Sequence, residues 1–225
     1  MISIQKNFLF IHVPKTGGNS IQNLLNDYSE DNIVCNSDCH DGVGRFDVRN
    51  KKHPFLQKHS NLLEYKKALP KDVYKKLFKF SVIRNPWDRM ISNYFSPRRG
   101  LEEWDGELFK KILCKTPPLR FYVTTPKKFS FMPSCIWKKA TQLQLYPAAR
   151  KDLFSEMDFL LRFEQFEEDF KKLCKLIGIP YSPLPVRNKS NRKHYSYYYD
   201  DEFREMVRKR FSEEISLMNY EFEQA

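Results

Sequence analysis

The chain has 225 residues, 15% of them aromatic, enough for one substantial core without disulfide staples, which argues against a disordered tail. Lys and Arg outnumber Asp and Glu by 39 to 28, for a net charge of +11. Such a balance suits an anionic ligand and does not by itself separate a small molecule from nucleic acid. Cys35, Cys39, Cys114, Cys135 and Cys174 are odd in number and scattered, so no disulfide framework is expected.

The first legible element is Phe8–Val13, short, apolar and rich in strand formers, as a buried parallel strand would be. Pro14 cannot donate to a ladder and ends it. Gly17 and Gly18 allow positive φ and let backbone N–H groups approach a ligand. From Ser20, Ile21, Leu24 and Leu25 recur at helical spacing, so the turn opens a helix whose first N–H groups lack partners. With the Lys15 charge and the Thr16 and Ser20 hydroxyls, this reads as a phosphate cradle. It is not a Walker A loop, in which the lysine follows the second glycine; here it precedes both.

Residues Tyr28 to Lys58 are polar and turn-rich and read as a long connection. Cys35, Cys39 and His40 lack a fourth ligand at a familiar metal spacing, so a plain loop is expected there. Helices are expected over Asn61–Ala68 and Lys71–Leu77. A second strand, Phe78–Ile83, then meets Asn85 as N-cap and Pro86 as first helical residue. That puts Arg84 at the carboxyl edge of the sheet, able to clasp a phosphate, with Ser92 two turns into the helix. Arg89 reads either as support for the site or as the partner of Asp88 or another carboxylate. Trp87, Met90 and Ile91 read as core.

Further on, Glu102–Cys114 reads as a helix with Leu108, Phe109, Ile112 and Leu113 on its apolar face. Lys115–Pro133 mixes four prolines with Arg120, Lys127, Lys128 and aromatics, a loop that packs on the body or docks a sugar. Asp158–Phe163 is a third strand, and Phe166, Phe170, Leu173, Cys174 and Ile177 mark a helix ended by Gly178. The basic loop Val186–Lys193, with Lys189, Ser190 and Arg192, reads as a solvated surface unless it faces a bound anion. Phe203, Met206, Val207 and Phe211 mark one last long helix. The alternation of strands and helices implies a three-layer α/β domain with a mainly parallel central sheet, spanning residues 1–225 as one unit.

Pro14–Ser20 and Ile83–Ser92 together resemble the sulfotransferases that use 3′-phosphoadenosine 5′-phosphosulfate (PAPS), in their carbohydrate branch of heparan 2-O-like and related bacterial enzymes. Arg162-Phe163-Glu164, Leu184-Pro185, Asn188-Lys189-Ser190, Tyr197–Asp200 and Tyr220-Glu221-Phe222 extend the likeness, whereas residues 98–149 match poorly. The resemblance implies a P-loop-like fold. It implies that Lys15, Thr16, Gly17, Gly18, Asn19 and Ser20 bind the 5′-phosphosulfate, that Arg84 and Ser92 bind the 3′-phosphate, and that Lys189, Ser190 and Arg192 close over the nucleotide. It further implies a hydroxyl acceptor, expected on a glycan, with 3′-phosphoadenosine 5′-phosphate (PAP) as product and no metal.

In-line sulfuryl transfer needs a base for the hydroxyl proton and positive charge on the leaving group. Lys15 supplies the charge on this reading, and His59, before the second strand, is the favoured base, with His53 its nearest rival. His12 is expected to make a structural hydrogen bond, and His40 and His194 are weaker choices. A nucleotide kinase with a degenerate loop and a basic nucleic-acid-binding protein are the competing readings, although no nucleic-acid motif is present. No leader or membrane span is legible, so a cytoplasmic protein of bacterial or viral origin is expected, unless an N-terminal anchor belongs to it.

Overall fold

The structure is a computed structural model that describes residues 1–39, 44–125, 135–136, 139, 155–185 and 192–225. Its main sheet runs β1 (Ile2–Ser3), β2 (Phe8–Ile11), β5 (Phe78–Ile83), β6 (Phe159–Arg162) in that spatial order. β2, β5 and β6 are parallel and β1 is antiparallel to β2. Strand alternation divides the apolar side chains between two faces. Phe8, Phe10, Phe80, Val82 and Leu161 pack toward α1 (Gly18–Leu25) and α7 (Phe166–Ile177). Leu9, Ile11 and Ile83 pack toward α2 (Leu62–Ala68) and α6 (Leu119–Val123). Helices on both faces of a mainly parallel sheet make the three-layer α/β fold. A third cluster joins α4 (Pro86–Tyr94), α5 (Gly106–Lys115) and α8 (Asp201–Arg210) through Trp87, Tyr94, Phe109 and Phe203.

Local chemistry sets the element ends. Asn61 caps α2 in a capping box with Glu64, and Asn85 caps α4 by accepting from Trp87 N at 3.1 Å, with Pro86 as first helical residue. Gly178, at φ 65°, closes α7. Arg89 and Glu214 form a buried pair at 3.0 Å that ties α4 to α9 (Ser212–Met218), and Glu214 also accepts from Leu119 N in α6. Removing one member of a buried pair strands the other. Glu214→Ala is therefore expected to cost about 3–5 kcal/mol in urea unfolding, and a loss under about 1 kcal/mol, the range of an exposed pair, would show that the pair is not structural.

Three expectations need correction. The polar stretch after α1 contains a two-stranded antiparallel ribbon, β3 (Asp31–Cys39) with β4 (Gly44–Asn50), instead of an irregular connection. Part of the proline-rich segment is the buried helix α6, and Arg120 in it is paired with Glu213, so it is no sugar-docking cation. The last long helix is broken at Phe211, which leaves helical geometry at φ −113°, ψ 27°. Expectations for His40, Lys127, Lys128, Lys189 and Ser190 lie outside the described residues. α3 spans Lys71–Lys76, and no helix among the described residues is long and apolar enough to cross a membrane.

Candidate active site

Because β2 and β5 are adjacent and parallel, with Ile11 opposite Ser81, the turns that leave their carboxyl ends emerge side by side. The two turns touch: Arg84 Nη1 donates to the Lys15 carbonyl at 3.1 Å. They open into one cleft of about 1980 Å³, more than the few hundred to about 1,000 Å³ a single small ligand fills. Lys15, Gly17, Gly18, Asn19, Ser20, His59, Arg84, Ser92 and Arg192 all line it.

The first turn is shaped around its backbone. Gly17 has φ +83°, and a Cβ there would lie 2.8 Å from the Phe166 ring. Gly18 is constrained differently, since a Cβ would lie 2.3 Å from the buried His12 ring. Lys15 itself adopts φ +69°, a left-handed conformation that costs a non-glycine residue about 1–2 kcal/mol. The N-terminus of α1 carries no side-chain cap and no acidic residue in its first turn, so its leading N–H groups face an anion's usual place. Thr16 does not line the cleft; its hydroxyl donates to the Val13 carbonyl at 2.8 Å and pins the turn. Ser20 lines it while donating to the Pro185 carbonyl at 2.6 Å.

Electrostatics single out Lys15. Burial, then the charges of Arg84, Arg192 and Arg99, push its ammonium down from 10.5 to about 8. Its Nζ reaches Ser96 Oγ at 3.3 Å. A partly buried ammonium among three guanidiniums is a site whose charge an anion would balance. Arg84 is fixed on several sides: Nε donates to Asp88 at 2.7 Å, and its guanidinium lies 4.0 Å over the Phe163 ring. Glu164 accepts from Asn85 N at 2.7 Å and from Tyr220 at 3.0 Å, anchoring the start of α4 to the end of β6.

His59 lines the cleft as an exposed residue, with the His12 ring 4.5 Å from its own. Its Nδ1 lies 3.1 Å from the His12 carbonyl, which can only accept, so Nδ1 carries the proton and Nε2 presents the basic lone pair. Burial lowers the imidazole from 6.5 to about 4, helped by Lys58 and Arg98 and opposed by the His12 carbonyl and Asp47. His12 bonds Gln22 Oε1 at 2.8 Å, the structural role expected of it. His53 is not among the cleft residues and packs edge-on against Phe55.

The family profile described as "Sulfotransferase family" matches residues 1–221. The chain belongs to the sulfotransferase family. It is an enzyme of sulfuryl transfer. Among solved structures it is similar to a sulfotransferase from Alicyclobacillus acidocaldarius at 14% identity over 96% of each chain, with a TM-score of 0.43. No curated protein matched.

In this sulfotransferase, several cleft residues escaped the sequence reading. Asp88 pairs with Arg84 and Arg192, not with Arg89. A spacing of four across the start of α4 could have revealed the Arg84–Asp88 pair. Asp47, Phe55, Gln57, Arg98 and Arg99 also line the cleft. Asp47 reaches it because β4 is a strand, and Gln57 because it bridges to Arg49 of that strand. Among the described residues no group of three or more His, Cys, Asp or Glu side chains is placed to hold a metal ion.

Proposed function

We propose that this sulfotransferase uses PAPS as donor and transfers its sulfuryl group to a glycan hydroxyl. The observation that carries the reading is the contact of the two turns, with Lys15 and Arg84 lining the same cleft and Arg84, Arg192 and Arg99 acting on the Lys15 ammonium. A donor with phosphate at both ends of its ribose fits two cationic turns joined at one edge. Lys15, Gly17, Gly18, Asn19 and Ser20 would hold the 5′-phosphosulfate, and Arg84, Ser92 and Arg192 the 3′-phosphate. Thr16 acts through the turn it pins. On the sequence resemblance alone, Lys189 and Ser190 would close over the nucleotide beside Arg192.

As the acceptor oxygen bonds to sulfur, His59 Nε2 takes the acceptor's hydroxyl proton, and the bond from sulfur to the bridging phosphate oxygen breaks. PAP leaves with that electron pair. The Lys15 ammonium stabilises the charge building on the leaving oxygen, and the N–H groups at the start of α1 assist. Phe55, 60% exposed beside Gln57, Asp47 and Lys58, offers an apolar ring and polar groups of the kind a sugar uses. Lys58, Arg98 and Arg99 favour an anionic glycan.

Thermal unfolding with PAP, and separately with ATP plus magnesium, tests the reading. PAP at about 100 times its Kd should stabilise by about 2.7 kcal/mol, and ATP with magnesium by much less. Stabilisation by ATP with metal equal to or greater than that by PAP, or no shift with PAP, would overturn the PAPS reading of the cleft. Labelled-donor transfer to sulfated and unsulfated oligosaccharides, tyrosyl peptides and simple alcohols tests the acceptor.

A further inference from the structure

Asp88 stands out among the cleft residues because it is the carboxylate at the centre of the cation pair. Arg84 Nε donates to Asp88 Oδ2 at 2.7 Å with its Nη2 2.5 Å from the same oxygen, and Arg192 Nη2 donates to Oδ1. Of the five N–H groups a guanidinium offers, Arg84 gives one to Asp88 and one to the Lys15 carbonyl, while Nη2 stands in ion-pair contact with the same Asp88 oxygen. The edge formed by Nε and Nη2, which can clasp a phosphate through two parallel bonds, is thus already filled by an anion of the protein's own. Asp88 also lines the cleft beside both arginines and is partly exposed, so an incoming anion can reach the same donors. Its backbone is held by α4, whose start is fixed by Asn85 and Glu164, so the carboxylate cannot drift away from Arg84 at no cost.

We propose that Asp88 is an affinity-setting residue: a built-in anion that holds Arg84 and Arg192 together before the nucleotide arrives and then competes with its 3′-phosphate for their N–H groups. This inference rests on the reading of Arg84 as the 3′-phosphate cation. Two consequences follow from the same arrangement. The pair of arginines stays folded and charge-balanced without ligand. PAP leaves more readily than it would from an unopposed pair of guanidiniums, so Asp88 exchanges affinity for turnover.

Asp88→Asn keeps the side-chain shape and removes the charge. Calorimetry should find PAP bound about ten-fold tighter by the variant, the scale of one like-charge repulsion moderated by solvent. Binding of adenosine 5′-phosphate should change less than PAP binding, and the unliganded protein should melt at a lower temperature. Steady-state assays should show kcat falling together with stronger PAP inhibition, a pairing that a purely structural role would not give. Weaker or unchanged PAP binding by a folded variant overturns the proposal. If asparagine prevents folding, the wild-type complex with PAP decides: the phosphate must take at least one N–H that Asp88 holds on Arg84 or Arg192, and an untouched Asp88 set would contradict the inference. Wild-type protein that binds PAP no tighter than adenosine 5′-phosphate would instead remove the reading of Arg84 and this inference with it.

Discussion

Lys15→Gly is expected to abolish most sulfuryl transfer while making the unliganded protein more stable. Loss of one preorganised group facing charge in the transition state costs roughly 10²–10³ in kcat. Stability moves the other way for two reasons. Lys15 sits at φ +69°, where glycine pays no Cβ penalty, and it is a partly buried cation among Arg84, Arg192 and Arg99. Relief of the backbone strain alone is worth about 1 kcal/mol. A variant that is less active and also less stable would mean that Lys15 is held by native contacts and not against them. Lys15→Arg separates charge from shape, since a guanidinium stays charged through the pH range where the Lys15 ammonium, at about 8, loses its proton.

His59→Ala is expected to lower kcat by roughly 10²–10⁴ with PAP affinity nearly unchanged, the signature of a base that does not hold the nucleotide. The pH dependence follows from the directions of the two shifts. His59 is lowered from 6.5 to about 4, so it is neutral and able to accept a proton throughout the neutral range, and kcat/KM falls only as pH drops toward about 4. Lys15 is charged below about 8, so kcat/KM falls again as pH rises through that value. Bound donor adds negative charge beside Lys15, which favours the ammonium, so the alkaline limb of kcat should lie higher than that of kcat/KM. In His59→Ala the acid limb should vanish; its persistence would assign it to another group.

The parts of the fold that position the site were legible because each carries its own local signal. Phe78–Ile83 is a continuous apolar run, and Asn85-Pro86 is a capping pair, so strand, turn and helix could be assigned with Arg84 between them. The same holds for Phe8–Ile11 and the Gly17–Gly18 turn, although the strand ends two residues before the expected Val13. β1 is two residues long and gives no pattern to read. The ribbon of β3 and β4 was missed because Asp31-Asn32 and Asn36-Ser37-Asp38 make its sequence polar, and its strands pair with each other apart from the main sheet. The break at Phe211 is silent in sequence because Phe203, Val207 and Phe211 keep helical spacing right up to it.

In the site, residue types announced the cations but not their partners. Arg84 could be placed at the strand end, whereas its hold on the Lys15 carbonyl and Phe163 depends on the segments after β2 and β6, which no local pattern around Arg84 encodes. Gly18 looked like a residue needed for positive φ, yet the constraint there is the His12 ring. The tautomer of His59 likewise depends on a carbonyl 47 positions away in the chain.

On this reading the turn after β2 and the turn after β5 hold opposite ends of one nucleotide. Titrating wild-type protein and Arg84→Ala with PAP and with adenosine 5′-phosphate measures it most directly. The substitution should weaken PAP by roughly 10²-fold, the worth of a charge-assisted pair of hydrogen bonds, and adenosine 5′-phosphate by only a few-fold. Equal weakening of the two ligands would contradict it.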